Sequence, residues 1–292
     1  MNTFQRTLAT AAFECSCAIR SRRALVTTLI FAVIGGVAMY TEIGIFSTLE
    51  EHLVSALGLP ASDNPGAVTM TLWRSEPFKK IVAGLAGSSL VFNDILGQHP
   101  IVLAFAGIVF SAVPMLALLT SAATPASAIR SGAVRYVLLR VSRTEWVLGL
   151  YLAEAAVLLA AMALMAVTAG AVAFWRLPGT EALQFLPALL PWTLRAWVLA
   201  IAWLGVFMGA SLMARTPGKA TAFAILVMIT MSALSFTADN YAPAADFLLP
   251  QGCRPLMWRA SFHAVLEGVV AALAVSFTYL GVGAAVFARR DI

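Results

Sequence analysis

The chain has 292 residues, of which 61% are hydrophobic and only 11% are charged, and its formal net charge is +5. Because soluble domains carry roughly 25% charged residues, this composition excludes an ordinary soluble protein. Apolar runs about 20 residues long cross a bilayer as helices and are too long for barrel strands, so the sequence predicts an all-α integral membrane protein.

We predict a short N-terminal helix over residues 1–23, followed by one membrane domain over residues 24–292. The first apolar run is too long for the core of a cleavable signal peptide, so we expect the mature chain to retain it. The six predicted transmembrane helices lie at about 24–46, 101–121, 146–174, 190–213, 220–238 and 263–287.

The basic residues predict the orientation. With both termini in the cytoplasm, 12 of the 19 Lys and Arg residues face the cytoplasm and seven face outward. The positive-inside rule therefore favours an N-in/C-in multi-pass protein. The net charge follows from this bias and requires no nucleic acid as a partner.

The N-terminal residues 1–23 have the pattern of an amphipathic helix on the cytoplasmic side. Such a helix lies in the membrane interface with its arginines among the headgroups. Simple tethering of the first span is the alternative, and both can hold together. The predicted apolar face contains Phe4, Leu8, Ala11, Ala12 and Cys15.

Two outer segments are predicted outside the spans. The loop at 47–99 is the largest, and the spacing of apolar residues at its end favours one or two interfacial helices. It is too short and too apolar for an independent enzyme. The segment at 239–262 has apolar pieces too short to cross, which fits a re-entrant or interfacial hairpin.

The segment at 124–145, between the second and third spans, is the most informative part of the sequence. Residues 124–143 contain four arginines and no acid, and Pro125 suits a helix start. One interpretation is a basic loop that satisfies the positive-inside rule. The other is a docking surface for a cytoplasmic partner.

Motifs for catalysis are absent from the sequence. The nearest approach to a phosphate-binding loop is Pro217-Gly218-Lys219, but Ala220 follows the lysine where Ser or Thr is needed. Cys15 and Cys17 have no third ligand nearby, so no metal site is predicted. We therefore expect that the chain is not an enzyme by itself and cannot hydrolyse ATP.

Two features inside the spans predict helix contacts. Glu154 lies about two turns into the third span, roughly 12 Å from its start. Buried charges default to paired or functional roles, and we favour a structural bond to an arginine of the 124–145 segment over a substrate or proton site. Gly205 and Gly209 form a small-x3-small pattern that permits close packing of two helices.

Two motifs together resemble a known family. One is Ile129-Arg130-Ser131-Gly132, continuing to Ser142-Arg143, and the other is the ending Phe287-Ala288-Arg289-Arg290-Asp291-Ile292. In a six-span chain they resemble the permease subunits of ATP-binding-cassette transporters of the type-2 exporter class. The sequence departs from the class at Ala128, where an acid is usual, and at Ala133, where Thr is usual.

The resemblance implies a cytoplasmic coupling helix that docks into a cleft of a separate ATPase. Two permease copies, a homodimer rather than a heterodimer, would work with two ATPase subunits. ATP and Mg would bind to the partner ATPase, with no cofactor in this chain. The implied docking residues are Ser127, Ile129, Arg130, Gly132, Arg135, Tyr136, Arg140 and Arg143.

The resemblance also implies a substrate path along the permease dimer interface, bordered by the fifth span and the outer hairpin. The candidate lining is apolar and rich in methionine, although each of its residues could equally pack in the core. The candidates are Phe223, Met228, Met231 and Phe236.

The expected function is export of an amphiphilic or hydrophobic substrate across a bacterial cytoplasmic (inner) membrane. An extracytoplasmic accessory protein could bind the 47–99 loop. The first alternative is a self-contained secondary transporter or channel that is not driven by ATP. The second is a membrane enzyme or assembly factor that uses the 47–99 loop as a platform.

Overall fold

The computed structural model describes residues 2–57, 98–177, 181–241, 246–259 and 261–290. Within these ranges the regular elements are helices. Their bounds are α1 (Thr3–Arg20), α2 (Arg23–Leu57), α3 (Pro100–Ser121), α4 (Thr124–Arg130), α5 (Ala133–Leu138), α6 (Arg143–Arg176), α7 (Glu181–Met213), α8 (Pro217–Tyr241), a 3-10 turn (Pro250–Cys253), α9 (Arg254–Met257) and α10 (Phe262–Ala288).

Six of these helices are long and apolar enough to cross a membrane: α2, α3, α6, α7, α8 and α10. This confirms the predicted all-α membrane fold. The helices extend beyond the predicted spans. α2 continues to Leu57 although an outer loop is predicted from residue 47, because no proline interrupts it and its last glycine, Gly44, is followed by helix-compatible residues. Residues 58–97, with the predicted interfacial helices, lie outside the described part of the chain.

Side-chain caps fix where several helices begin. Asn2 and Gln5 form a capping box at the start of α1. Ser142 and Glu145 form another at the start of α6, where each side chain accepts a hydrogen bond from the other residue's backbone N–H. These caps satisfy backbone donors that have no partner within the helix. The third span therefore begins at a defined point, Arg143, within the last residues of the basic 124–145 segment.

α7 is the central helix of the bundle and packs against α3, α6, α8 and α10. In its most apolar 18-residue window, 83% of the residues are buried, compared with 17% for Pro217–Ser235 of α8 and 28% for α10. α7 is thus enclosed by other helices. Most of the surface of α8 and α10 is not covered by other helices in the described part of the chain and is open to lipid or to another protein.

α7 and α10 are in close backbone contact. A Cβ at Gly205 would lie 2.3 Å from the carbonyl oxygen of Ser276, and a Cβ at Gly209 would lie 2.4 Å from that of Tyr279. Across the same contact, the Ser276 hydroxyl donates to the carbonyl oxygen of Ile201 at 2.8 Å. The predicted close packing at Gly205 and Gly209 is confirmed, since no larger side chain fits between these backbones.

The predicted outer hairpin is partly described. α8 continues to Tyr241, and the 3-10 turn and α9 then pack against α7 and α10. Trp258, just after α9, lies 5.1 Å from Phe110 and 5.3 Å from Trp192 between ring centroids. Such aromatic contacts fasten the segment to α3 and α7.

We predict that Gly209→Ala destabilises the fold by about 1–3 kcal/mol, because the added methyl group forces α7 and α10 apart. Gly281→Ala is the matched control, since a Cβ at Gly281 of α10 meets nothing within 4 Å. Unfolding in detergent measures both variants. Equal stability of the two would contradict the close contact.

Candidate functional site

The segment after the second span forms a helical hairpin made of α4 and α5. Gly132 joins the two helices with φ at +75°, a left-handed conformation that glycine adopts readily. Pro125 and Ala126 of α4 are buried, and the Ala126 backbone N–H donates to the Ser211 hydroxyl of α7 at 3.3 Å. The hairpin is therefore fixed to the central helix at its first turn.

We call the end of the bundle that carries α1, α4, α5 and the start of α6 the basic end. Most of the predicted docking residues on the hairpin are exposed there. Ile129 and Gly132 are half-buried, and Ile129 packs against the cluster around Trp146. The exposed members are Ser127, Arg130, Arg135, Tyr136 and Arg140.

A groove separates α1 from the α5 side of the hairpin, and we call it the α1–α5 groove. Its volume is about 830 Å³. Tyr136 and Leu139 on its rim are 78% and 84% exposed. Two arginines and several large apolar side chains thus share one open surface. The lining residues are Arg6, Ala9, Thr10, Phe13, Tyr136, Val137, Leu139, Arg140 and Val141.

Arg6, Phe13 and Leu139 are site residues that the sequence reasoning missed. Phe13 lies on the opposite flank of α1 from the predicted apolar face. The i, i+7 spacing of Arg6 and Phe13 places both on one side of a helix, which is a signal that the sequence contains. Only the fold, however, brings that side next to α5.

α1 is held firmly against α6. A Cβ at Gly149 would lie 2.7 Å from the Thr10 Cβ, and Trp146 Nε1 donates to Glu14 Oε1 at 3.2 Å. Burial raises the pKa of Glu14, while the Trp146 hydrogen bond and the charge of Arg23 partly offset this effect. Because α1 is anchored in this way, one wall of the α1–α5 groove is rigidly joined to the third span.

An ion pair lies where α2, α4 and α6 meet. Arg23 Nη2 donates to Glu154 Oε1 at 2.5 Å, and Arg23 Nη1 donates to the Thr124 hydroxyl. The Glu154 side chain is only 1% exposed, compared with 36% for Arg23. The predicted bond of Glu154 to an arginine of the 124–145 segment is therefore wrong in its partner. Arg23 begins α2, which packs along α6, whereas the hairpin arginines point outward.

This contact nevertheless reaches the hairpin, because Thr124 is the first residue of α4. A buried carboxylate that loses its partner is strongly destabilised, so the three helices are held in one arrangement. A displacement of α4 would act on the first and third spans through the Arg23 side chain, which contacts both Thr124 and Glu154.

Arg143 differs from the other predicted docking residues. Its Nη1 donates to the carbonyl oxygens of Phe287 at 3.1 Å, Ala288 at 2.6 Å and Arg290 at 2.9 Å. Carbonyl groups in the last turn of a helix have no partner within the helix, so Arg143 caps the end of α10. Its side chain is half-buried and holds the fold together at the basic end.

Arg290 caps the end of α7 in the same way. Its guanidinium donates to the carbonyl oxygen of Ala214 at 3.1 Å and to that of Met213. A cation beside the carbonyl end of a helix is also favoured by the helix dipole. The contacts of Arg143 and Arg290 show that the C-terminal motif has a structural role. They join the start of α6 to the ends of α7 and α10.

The candidate pathway residues lie on α8 and differ in how far they are buried. Phe223 is exposed, at 38% of its surface. Met228 and Met231 are half-buried against the core, and the Tyr279 hydroxyl contacts the Met231 sulfur at 3.8 Å. The side chain of Phe236 lies outside the described part of the chain.

Comparison with known protein families decides the class of this chain. Residues 8–245, which are 238 of the 292 residues, match the family described as "ABC-2 family transporter protein". The chain belongs to this family. It is a multi-pass permease of the ABC-transporter type. Comparison with curated proteins finds no match.

We predict that Arg23→Ala lowers the free energy of unfolding by about 3 kcal/mol at most, since water reaches Arg23 and offsets part of the loss. A double-mutant cycle with Glu154→Ala should give a coupling energy of at least about 1 kcal/mol. Unfolding of the permease in detergent supplies the measurement.

The control for this cycle is Arg20→Ala, because Arg20 is exposed at the end of α1. It should change the free energy of unfolding by less than about 0.5 kcal/mol. A loss for Arg23→Ala no larger than that for Arg20→Ala would contradict the structural role of the ion pair.

Proposed function

We propose that this ABC-2 permease is one half of the membrane part of an exporter, and that a separate ATPase docks at the α1–α5 groove. The observation that carries the proposal is the groove itself, where exposed Tyr136 and Leu139 stand beside Arg6 and Arg140. Large apolar side chains flanked by arginines are typical of protein interfaces rather than of free surfaces.

The sequence supports an external source of energy. It contains no phosphate-binding loop, so ATP and Mg would bind in the partner subunit and no cofactor is required in this chain. The N-in/C-in orientation places the basic end in the cytoplasm, where ATP is available. Family membership and the charge bias both support this arrangement.

The contacts of α4 suggest how docking is coupled to transport. α4 meets the Arg23–Glu154 pair through Thr124 and meets α7 through Ala126 and Ser211. A push on the hairpin by the ATPase would therefore act on α2, α6 and the central helix at once. Arg143 would keep the ends of α6 and α10 joined while this happens.

Two permease copies, as a homodimer, with two ATPase subunits complete the proposed transporter. α8 and α10 offer apolar surfaces that the chain leaves open, and these suit a second copy or the lipid. A path bordered by Phe223 and the α8 methionines suits an amphiphilic or hydrophobic substrate. The proposed location is a bacterial cytoplasmic (inner) membrane, with the 47–99 loop available to an accessory protein outside.

Affinity purification of the full chain from its native membrane tests the docking proposal. We expect a soluble ATPase to copurify in stoichiometric amount. The double variant Arg6→Glu and Arg140→Glu should lose nearly all of this ATPase, because it reverses the two exposed charges that line the α1–α5 groove, while membrane insertion is unchanged.

The matched control is Arg215→Glu with Lys219→Glu, which reverses two exposed charges near the turn between α7 and α8. The control should retain the ATPase. If the groove variant also retains it, the proposed docking site is wrong. If the unaltered chain purifies alone and transports substrate in vesicles without ATP, the secondary transporter or channel is the better interpretation.

Cysteine labelling tests the proposed orientation in a Cys15→Ser, Cys17→Ser background. Cys253 can stay, since it is buried, and burial with the nearby Asp246 charge raises its pKa to about 11. We expect a membrane-impermeant maleimide to label Arg259→Cys in intact cells and Lys219→Cys only after permeabilisation. The reverse pattern would overturn the orientation.

A further inference from the structure

The elbow between α1 and α2 is built around an arginine in an unusual conformation. α1 ends at Arg20, and Arg22 has φ at +60° before α2 begins. The Arg22 N–H donates to the carbonyl oxygen of Ile19 at 3.0 Å, and its own carbonyl oxygen accepts from the Val26 N–H at 2.9 Å. Glycine is the usual residue at such a helix end. An arginine at this position therefore suggests a function for its side chain.

A cavity of about 350 Å³ opens beside this elbow between α2 and α3. Ser21, Arg22 and Arg23 line its polar end. Its apolar part is lined by residues that include Val26 and Ile30 of α2, at successive turns, and Leu119 of α3. From Arg23 to Ile30 this lining extends roughly 10 Å along the helix. The cavity is thus basic at one end and apolar along its length.

The arginines at the polar end differ in whether they already have a partner within the described part of the chain. Arg23 is engaged by Glu154 and Thr124. Arg22 is exposed, and so is the neighbouring Arg20. The residues that line the cavity include no acid. The polar end therefore suits an anion.

The position of the elbow relative to the membrane is also defined. The first membrane-spanning helix begins at Arg23, so residues 20–23 lie where the chain enters the bilayer, at the level of the lipid headgroups. Phe4, Leu8 and Ile19 of α1 are exposed apolar side chains on one flank of that helix, as expected for a helix in the interface. The apolar part of the cavity then faces the acyl chains.

We propose that the elbow cavity binds one anionic phospholipid, with the phosphate at Arg22 and an acyl chain along Val26, Ile30 and Leu119. A soluble phosphate would leave the apolar part unused, whereas a phospholipid matches both parts. The site does not depend on an ATPase, since all its residues belong to this chain.

Native mass spectrometry of the full chain in a mild detergent tests this site, with phosphatidylglycerol as the probe and phosphatidylcholine as the neutral comparison. We expect one retained phosphatidylglycerol per chain and no retained phosphatidylcholine. A photoactivatable phosphatidylglycerol should crosslink to peptides that contain residues 20–31 or residue 119.

Arg22→Gly removes the charge while it keeps the left-handed backbone, so it separates the side chain from the turn. It should weaken retention about fivefold or more, whereas Arg22→Lys should retain most of the binding. Ile30→Trp should also weaken retention, because the larger side chain fills the apolar part of the cavity. This second variant keeps the test valid if Arg22→Gly folds poorly.

Arg215→Gly is the control, as it removes one exposed arginine elsewhere on the chain. It should leave the retained lipid unchanged. An equal loss in this control would show general charge attraction and overturn the site. Displacement of the lipid by millimolar glycerophosphate would show a site for soluble phosphate, and unchanged retention in both Arg22→Gly and Ile30→Trp would also reject the proposal.

Discussion

The ion pair between Arg23 and Glu154 is the contact on which the arrangement of the basic end depends. It joins the first residue of one span to the buried side of another, and Thr124 extends it to the hairpin. A carboxylate as buried as Glu154 requires such a partner, because an unpaired charge in a membrane protein interior is costly. The positions of α2, α4 and α6 relative to one another follow from this requirement.

The arginines of the basic end divide into two groups that a count of charges cannot separate. Arg23, Arg143 and Arg290 are used inside the fold, where they hold a carboxylate or the carbonyl ends of helices. Arg130, Arg135 and Arg140 are exposed on the hairpin, and Arg22 is exposed at the elbow. The first group holds neighbouring helices together. The second group is available to partners, which we propose to be an ATPase at the hairpin and an anionic lipid at the elbow.

Small residues decide the packing of the spans in a similar way. Gly205 and Gly209 let α10 approach the central helix until backbone meets backbone, and Gly149 lets α6 approach the side chain of Thr10 on α1. Between apolar helices in lipid there is little hydrophobic driving force, so close contact and hydrogen bonds such as that of Ser276 determine which helices associate. The enclosed α7 and the open α8 and α10 are the result.

The sequence by itself determined the fold class, because long apolar runs in a chain with few charges allow only membrane-spanning helices. It also located the basic 124–145 segment and the close contact at Gly205 and Gly209. Only the tertiary structure decided that Glu154 pairs with Arg23, that Arg143 caps α10, and that Phe13 faces α5. These facts depend on which side of each helix meets its neighbour. A span that is apolar on all sides has no periodic pattern to reveal that side, so contacts between residues distant in sequence are fixed only when the helices pack together.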